Sequence, residues 1–269
     1  MASPSGEIIL TPAEYQHIQK FLAHEAGISL GPSKQTLAMG RLGKRLRARN
    51  CLNYEAYLQL LHQDSAERQQ AIDLLTTNET YFFREPKHFA FLGEQAIPTW
   101  SSRDKVRIWS AASSSGEEAY SIAMVLAERR GKKWEIFASD LSSQVLLTAE
   151  RAIYPMTRAE KIPKAYLKRY CLRGTGHQEG FFSIAPEIRG FVNFAQINLN
   201  KTLPDVGEFD MIFLRNVLIY FEVPEKRAIC QRLLQKLRPG GFFLVGHSES
   251  LNGIVDNLQL LQPAVYKKE

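Results

Sequence analysis

The chain has 269 residues, of which 45% are hydrophobic and 23% are charged, so it can bury the core of one large domain plus a small one. No run approaches the roughly 18 apolar residues of a membrane-spanning helix, and the first residues lack the basic start and apolar stretch of a secretory signal, so we expect a cytoplasmic protein. The net charge of +6 favours an acidic partner: nucleic acid, an anionic membrane surface or an acidic protein helix.

Residues 1–80 are predicted to form a bundle of short, closely linked helices. Pro12 and Glu14 follow a capping threonine and precede an apolar run with helical spacing, which is typical of a helix start. Polar residues that can cap a helix precede three further apolar runs, which end near residues 50, 61 and 75. The predicted N-caps are Thr11, Ser33, Asn53 and Ser65.

The second of these helices, over residues 33–50, carries the densest basic cluster of the chain. Its apolar positions Leu37, Leu42 and Leu46 fall on a different side from the cations. Two interpretations stay open: a solvated basic face, or a surface that binds an acidic partner. The cations are Lys34, Arg41, Lys44, Arg45, Arg47 and Arg49.

From about residue 85 the pattern changes to strands that alternate with helices, which indicates a parallel sheet covered on both faces. Helices are expected to start near Gly116, Ser142 and Pro224. A segment with four glycines, residues 170–191, departs from this alternation and predicts a small antiparallel hairpin. The predicted strands cover residues 106–109, 135–138, 192–195, 211–214, 242–245 and 264–267.

The stretch VRIWSAASSSGEEAYSIAMVLAERRGKKWEIFASD predicts a buried strand, a loop of tiny residues, a helix and a second strand that ends at Asp140. Such a loop lets a ligand lie against main-chain N–H groups at a helix start, and an acid at this place can bind both hydroxyls of a ribose. The loop contains Gly116 alone, not the three glycines of a dinucleotide site, so an amino-acid carboxylate fits better. The alternative is an ordinary turn with a solvent-facing Asp140.

Polar residues also follow two later predicted strands, at the edge where ligands bind in open α/β sheets. Arg215 and Asn216 come directly after residues 211–214, and a ligand explains a buried arginine there better than a core does. Tyr220 could face the same cleft or pack as a surface aromatic. Asn198 and Leu199 follow the third predicted strand, where the amide could meet an adenine edge or form a turn.

The run TTNETYFFRE lies where the predicted bundle meets the sheet domain, and small-molecule sites favour such junctions. Asn78, Thr80 and Arg84 alternate there with bulkier side chains. The alternative is a linker whose Phe82 and Phe83 pack between domains. The six histidines are scattered and the three cysteines lack C-x-x-C spacing, so we expect no metal site.

Five motifs in order closely resemble the chemotaxis receptor methyltransferases, the CheR family: TTNETYFFRE, IWSAASSSGEEAYSIAM, ASDLSS, FDMIFLRNVLIYF and LRPGGFFLVGHSESL. The resemblance implies a class I SAM-dependent methyltransferase sheet, doubly wound, over residues 81–269. It also implies a small N-terminal helical domain over residues 1–80 and a small antiparallel β insertion at about residues 168–192. The methyl donor would be S-adenosylmethionine, with S-adenosylhomocysteine as product, and the acceptors glutamate side chains on the cytoplasmic helices of chemoreceptors.

The family pattern also implies roles for single residues. Arg84 and Tyr220 would be the catalytic residues, as orienting groups beside the reacting centre. One of Glu117 and Glu118 would meet the methionine amino group; Glu117 is preferred because it is closer to the loop, and the sequence leaves the register open. The cofactor-binding set is Asn78, Thr80, Arg84, Glu117, Asp140, Asn198, Leu199, Arg215 and Asn216.

The resemblance further implies how partners are bound. The basic helix over residues 33–50 would face acidic receptor helices, and the protein would be recruited from the cytoplasm to membrane chemoreceptor arrays. The β insertion, with its RGTG motif at residues 173–176, could grip a tethering peptide at a receptor C-terminus. Two alternatives stay open: a methyltransferase that acts on another substrate such as RNA, and a non-catalytic adaptor that binds receptors.

Overall fold

The structure, a computed structural model, describes residues 8–129 and 133–269. The chain divides into two compact units. The first runs to Thr77 and includes Tyr220–Glu225, and the second contains Asn78–Ile219 and Lys226–Glu269. Within the described residues, no helix combines the length and the apolar character needed to cross a membrane.

The first unit is a helical bundle, as its amphipathic pattern predicts. One side of each helix is buried, and a 3-10 turn, Pro32–Lys34, precedes the second helix. Tyr15, Ile18, Leu22, Leu46 and Tyr57 are buried in its core. The helices are α1 (Pro12–Ala26), α2 (Gln35–Ala48), α3 (Tyr54–Gln63) and α4 (Ser65–Leu75).

Two of the predicted helix caps are confirmed. The Thr11 hydroxyl accepts a hydrogen bond from the Glu14 N–H at 3.3 Å, and the Glu14 carboxylate accepts one from the Thr11 N–H at 2.9 Å. The Asn53 side chain accepts from the Ala56 N–H at 2.8 Å. These side chains satisfy N–H groups that the first turn of a helix leaves without partners.

The other two predicted caps are wrong. Ser33 lies inside the 3-10 turn, and α2 begins at Gln35 without a side-chain cap. The cap of α4 is Asp64, whose carboxylate accepts from the Glu67 N–H at 3.0 Å, and Ser65 is the first helical residue. An aspartate in this place satisfies the N–H groups and also carries the charge that a helix N-terminus favours.

The second unit is built on two sheets. Its helices alternate with its strands along most of the chain. The strands are β1 (Lys105–Ser110), β2 (Lys133–Asp140), β3 (Ile153–Pro155), β4 (Cys171–Arg173), β5 (Phe181–Ile184), β6 (Val192–Gln196), β7 (Phe209–Leu214), β8 (Leu237–Val245), β9 (Leu258–Gln262) and β10 (Val265–Lys268). The remaining helices are α5 (Pro86–Phe91), α6 (Ile97–Thr99), α7 (Glu117–Ala127), α8 (Ser143–Arg151), α9 (Lys164–Tyr170), α10 (Pro186–Arg189) and α11 (Val223–Gln235), and a π-helical segment, Leu92–Ala96, connects α5 and α6.

The large sheet confirms the predicted doubly wound α/β architecture. In the described part of the chain its order is β6-β2-β1-β7-β8-β10-β9. The first five strands pair in parallel, and β10 pairs antiparallel with both neighbours. Every residue of β7 is buried, as expected for a strand covered on both faces. The chain order reverses at β1, and ligands bind outside the carboxyl ends of strands at such a point.

The six predicted strands are confirmed, with bounds that differ by up to five residues. β8 begins at Leu237, five residues before the predicted start. The prediction began too late because Pro239 and Gly240 are typical of a turn, although they lie within the strand. β9 was not predicted. Its Leu260 and Leu261 are exposed, so the strand lacks the alternation of apolar and polar residues that identifies a half-buried strand.

The predicted antiparallel insertion is present, but it has an additional strand. The small sheet has the order β3-β5-β4, so β5 lies between two partners. β4 and β5 fall inside the predicted range, whereas β3 precedes it by more than ten residues. Three residues that include a proline are too short a pattern to predict a strand.

We predict that Glu67→Gln destabilises the helical bundle. The Glu67 carboxylate is buried; it pairs with Arg45 and accepts from the Tyr57 hydroxyl at 2.7 Å. The hydrogen bond from Arg45 lowers the pKa of Glu67 below its ordinary value of 4.5 and outweighs burial, which raises it. Loss of the charge should reduce the free energy of unfolding at pH 7 by about 1–3 kcal/mol.

The pH dependence of this loss has a definite sign. Because folding lowers the pKa of Glu67, its ionised form stabilises the protein above the unfolded pKa, and that contribution disappears as the pH falls through the folded pKa. Urea unfolding followed by helical circular dichroism should therefore separate wild type from Glu67→Gln at pH 7 and less at pH 3. The control is Glu187→Gln, at an exposed helix position. Equal stability of Glu67→Gln and wild type at pH 7 would contradict the role of this carboxylate.

Candidate functional site

The loop of tiny residues, 111–116, begins where β1 ends, at the edge shared with β2 and β7. Ser110 pairs with Ala138 of β2 and with Phe213 of β7. At the other end of the loop, Gly116 has a φ of +93°, and a Cβ there would lie 2.9 Å from the Cβ of Ala149. The small residue is therefore required by both backbone conformation and close packing.

Most main-chain N–H groups of this loop already donate within the protein. Four of the six N–H groups of residues 111–116 point into the fold. The expectation that a ligand lies against the main-chain N–H groups of this loop therefore does not hold for these four. The four bonds are Ala111 N–H to Phe213 O (2.8 Å), Ser113 N–H to Ser139 O (2.9 Å), Ser114 N–H to Asp140 Oδ2 (2.8 Å) and Gly116 N–H to Ser113 O (3.0 Å).

Asp140, the last residue of β2, is fixed by main-chain donors. Its Oδ2 accepts from Ser114 N–H at 2.8 Å and its Oδ1 from Ser142 N–H at 2.9 Å. The side chain thus organises both the loop and the start of α8. It is therefore not the ordinary solvent-facing aspartate of the alternative interpretation. A carboxylate has about four acceptor sites, so one that main-chain N–H groups hold can also receive hydroxyl donors.

Glu117, the first residue of α7, carries a fully buried carboxylate beside the loop. It accepts from the Ser115 hydroxyl at 2.7 Å and pairs with the guanidinium of Arg158. Burial raises the pKa of Glu117, while the bond from Ser115 and the charge of Arg158 oppose the rise.

Glu118 is directed elsewhere, because adjacent helix positions point about 100° apart. Its carboxylate accepts from the Ser110 hydroxyl at 2.6 Å and pairs with Arg215 at 2.8 Å. The two adjacent acids therefore have separate surroundings, and Glu117 is the one next to Ser115 and the loop.

Arg215 is buried, with 1% of its side chain exposed, and it joins three segments. Its Nη2 donates to the main-chain O of Arg84 and to the Glu85 carboxylate at 2.9 Å, and its Nη1 pairs with Glu118. The guanidinium also lies over the ring of Phe89, 5.7 Å from its centroid. The sequence predicted a ligand-binding arginine; the structure gives this side chain protein partners that explain its burial.

Asn216 extends the same cluster with a left-handed backbone conformation, φ +56°. Its amide donates to Glu85 at 3.1 Å, and its main-chain N–H donates to Glu249 at 2.8 Å. Burial would raise the pKa of Glu85, but the hydrogen bond and charge of Arg215, with the amide of Asn216 and the N–H of His247, lower it to about 2.

Sequence reasoning missed four residues of this cluster: Glu85, Glu118 as the partner of Arg215, Glu249 and His88. His88 is fully buried, and burial and the charge of Arg215 lower its pKa to about 3.

Within the described residues, Glu85, His88 and His247 have potential metal-ligand atoms within 4.8 Å of one another. Arg215 already binds the Glu85 carboxylate there, so a cation would have to compete with a guanidinium. The i, i+3 spacing of Glu85 and His88 was the available signal, whereas His247 belongs to a distant motif.

Of the predicted residues in TTNETYFFRE, Asn78 contacts the loop, whereas Arg84 contacts other residues of the same run. The main-chain O of Asn78 accepts from the Ser114 hydroxyl at 3.3 Å, so this segment contacts the loop. The Arg84 guanidinium donates to Glu79 O at 2.8 Å and lies over the ring of Tyr81 at 5.7 Å. Thr80 is half-buried.

The remaining predicted residues have local contacts. The Asn198 side chain accepts from the Asn200 N–H at 2.9 Å, as in the turn that was the alternative prediction. Leu199 is buried, and its main-chain O accepts from Arg232 at 2.7 Å. Tyr220 belongs to the first unit, where its main-chain O accepts from Ser29 N–H at 2.9 Å.

The basic cluster of α2 divides into two sets. Arg41 donates to the carbonyl groups at the end of α4, while Arg45 and Arg49 pair with acids of α4 and its cap. These three arginines stabilise the bundle. The exposed remainder, Lys34, Lys44 and Arg47, is the part of the cluster that a partner could meet.

Comparison with known proteins gives a consistent match over almost the whole chain. A family model described as "CheR methyltransferase, SAM binding domain" matches residues 78–266, and one described as "CheR methyltransferase, all-alpha domain" matches residues 13–76. A "Chemotaxis protein methyltransferase" of Salmonella typhimurium is 38% identical over 265 residues, 96% of this chain and 91% of that protein. "Chemotaxis protein methyltransferase 2" of Pseudomonas aeruginosa is 40% identical over 248 residues, 91% and 89% of the two chains. The Escherichia coli protein of the first name is 38% identical over 267 residues, 96% and 92%.

We predict that Arg215→Met destabilises the protein in the absence of any ligand. The change leaves Glu85 and Glu118, with 14% and 12% of their side chains exposed, without their counter-charge. Breaking a buried ion pair in this way costs about 3–5 kcal/mol. The control Arg169→Met removes an exposed ion pair with Glu128 and should cost about 1 kcal/mol or less. If Arg215→Met unfolds in urea at the wild-type concentration, Arg215 is not a structural residue.

Proposed function

This chain belongs to the CheR methyltransferase family, and on that premise we propose that it methylates glutamate side chains on the cytoplasmic helices of chemoreceptors, forming methyl esters for sensory adaptation. Its methyl donor is S-adenosylmethionine, since the match to the SAM-binding domain of the family covers residues 78–266. The single observation that carries the proposal is the continuous match of both family domains. The arrangement of Asp140 and Glu117 at the carboxyl ends of β1 and β2 supports it.

The residues at this edge fit the parts of the donor. The Asp140 carboxylate, held by Ser114 and Ser142, would accept from the ribose hydroxyls. Glu117 would accept from the methionine ammonium, because its carboxylate lies beside Ser115 of the loop, whereas the Glu118 carboxylate faces Arg215 and Ser110. Asn198 and Leu199 would border the adenine.

Other members of the predicted set would act on the reacting side. Asn78 and Thr80 would cover the donor, and Arg84 would lie beside the methyl group. Arg215 and Asn216 would shape this part of the site chiefly by holding Glu85 and the Arg84 carbonyl in place.

The chemistry requires little proton transfer from the protein. The donor supplies a methyl group that its sulfonium already activates, and a glutamate with an ordinary pKa of about 4.3 is ionised at pH 7, so no general base is needed. The protein must align the acceptor carboxylate and exclude water from it, and alignment is worth up to about 7–11 kcal/mol in favourable cases. Arg84 and Tyr220 would orient the acceptor carboxylate through their guanidinium and hydroxyl groups.

The partner surfaces follow from the same premise. Residues 1–80 would form the receptor-facing domain, with Lys34, Lys44 and Arg47 against acidic receptor helices, and residues 81–269 the methyltransferase domain. The β subdomain at about residues 168–192 would bind a tethering peptide where a receptor carries one. The enzyme would work in the cytoplasm and be recruited to membrane receptor arrays.

RNA as the substrate is not favoured, because relatives of 38–40% identity over most of the chain are named for chemotaxis.

A non-catalytic adaptor would bind receptors without transferring methyl groups, so an assay of methyl transfer distinguishes it from the enzyme. Protein incubated with methyl-labelled S-adenosylmethionine and receptor-containing membranes should label receptor protein, and mild alkali should release the label as methanol. Alkali-stable label would indicate N-methylation, and absence of label would favour the adaptor.

We predict that Arg84→Ala lowers turnover by more than tenfold and changes donor affinity by less than about threefold, as expected for an interaction made with the acceptor in the transition state. Initial rates at saturating donor and calorimetric titration with S-adenosylhomocysteine measure the two effects. Arg169→Ala, which removes an exposed arginine of the same unit, should change neither. Equal losses in turnover and affinity would instead make Arg84 a donor-binding residue.

A further inference from the structure

Arg158 is a charged residue at the loop that neither the motifs nor the family pattern singled out. It lies in the 3-10 segment Met156–Lys161, directly after β3 of the small sheet. Its guanidinium pairs with Glu117 and reaches the Ser115 hydroxyl at 3.4 Å. The two partners differ in exposure, since 41% of the Arg158 side chain is exposed while Glu117 is fully buried.

The segment that carries Arg158 is anchored on the loop. Tyr154, in the middle of β3, donates its hydroxyl to the main-chain O of Ser115 at 2.7 Å. The Tyr154 hydroxyl also lies 3.1 Å from the place where a Cβ on Gly116 would be. The segment that carries Arg158 is thus held near the loop, and its side chain is partly exposed to solvent.

The methionine end of the donor is a zwitterion, so its site needs an acceptor for the ammonium and a donor for the α-carboxylate. Glu117 supplies an acceptor. The loop offers few donors, because the N–H groups of Ala111, Ser113, Ser114 and Gly116 are already bonded within the protein. A carboxylate placed there would gain from a side-chain cation, and Arg158 is a cation in contact with this loop.

We propose that Glu117 and Arg158 form a clamp for the α-amino acid end of the donor, in which Glu117 accepts from the α-ammonium and Arg158 donates to the α-carboxylate. The proposal rests on the methyltransferase function given above. In the structure the Glu117 carboxylate and the Arg158 guanidinium pair with each other. Binding of the zwitterion would replace the contact between Glu117 and Arg158 by two ionic contacts, one from the α-ammonium to Glu117 and one from Arg158 to the α-carboxylate. The zwitterion itself adds no net charge to the site.

The clamp also has an electrostatic consequence. A buried carboxylate alone binds protons more readily, and the charge of Arg158 opposes that tendency at Glu117. When Arg158 turns to the α-carboxylate, the ammonium takes over as the cation next to Glu117. The acid therefore has a positive partner in both states.

The experiment compares two ligands that differ in the α-carboxylate alone. Calorimetric titrations would use S-adenosylmethionine and its decarboxylated analogue, which retains the ammonium and sulfonium, against wild type, Arg158→Gln and Glu117→Gln. Arg169→Gln, which removes an exposed arginine paired with Glu128, is the matched control. Thermal unfolding of each variant establishes that it is folded.

We expect Arg158→Gln to weaken S-adenosylmethionine binding by about 10- to 100-fold, the usual size of a charged hydrogen-bonded pair, and to change binding of the decarboxylated analogue by less than about twofold. In wild type, the analogue itself should bind about 10- to 100-fold more weakly than S-adenosylmethionine. Glu117→Gln should weaken both ligands, because both carry the ammonium.

Two results with Arg158→Gln would overturn the clamp. Equal weakening of both ligands by Arg158→Gln would mean that Arg158 acts through Glu117 alone, and unchanged affinity would mean that it does not act on the donor. Should Arg158→Gln not fold, Arg158→Lys retains the charge, and the same ligand comparison decides. 5′-Methylthioadenosine lacks the amino acid end of the donor. If wild type binds neither S-adenosylmethionine nor 5′-methylthioadenosine, the methyltransferase proposal itself fails. If both ligands bind with equal affinity, the clamp alone is overturned.

Discussion

The buried guanidinium of Arg215 is the interaction on which the site depends. A charge removed from water is tolerated when opposite charges and hydrogen-bond acceptors surround it, and here the Arg84 carbonyl, Glu85 and Glu118 provide them. These partners belong to two segments, the one before α5 and the start of α7, and Arg215 itself follows the end of β7, so its guanidinium joins three segments. Because each segment also carries a proposed site residue, removal of the guanidinium would change the positions of several functional groups together. Arg215 is therefore a positioning residue as well as a member of the predicted ligand set.

The side chains around the loop after β1 have structural roles besides the donor-binding roles proposed for them. Asp140 fixes the loop through Ser114 and ends β2 at the edge where a ribose would bind. Glu117 and Glu118 are chemically identical neighbours, yet helix geometry directs one to Arg158 and the other to Arg215. The environment thus assigns separate tasks to adjacent carboxylates. A donor site built from such residues would be organised before the donor arrives, which would reduce the entropic cost of binding.

Local patterns in the sequence predicted the features that depend on neighbouring residues. The buried parallel strands, the Thr11 capping box and the polar residues at strand ends all have signals of a few consecutive positions. The strand β3, the partners of Arg215 and the pairing of Arg158 with Glu117 have none, since they join residues 26 to 131 positions apart. The cap at Asp64 was misplaced by one residue because serine and aspartate are both good caps. Periodicity could not identify β9, the edge strand in which Leu260 and Leu261 are exposed.

The central claim is that the carboxyl ends of β1 and β2 bind the adenosyl group and amino acid end of S-adenosylmethionine. A crystal structure of the full chain with S-adenosylhomocysteine tests it most directly. The account predicts ribose hydroxyls within hydrogen-bond distance of the Asp140 carboxylate, about 2.5–3.0 Å, and the ammonium against Glu117. An adenosyl group bound away from these strand ends, with Asp140 and Glu117 retaining their present partners alone, would contradict it.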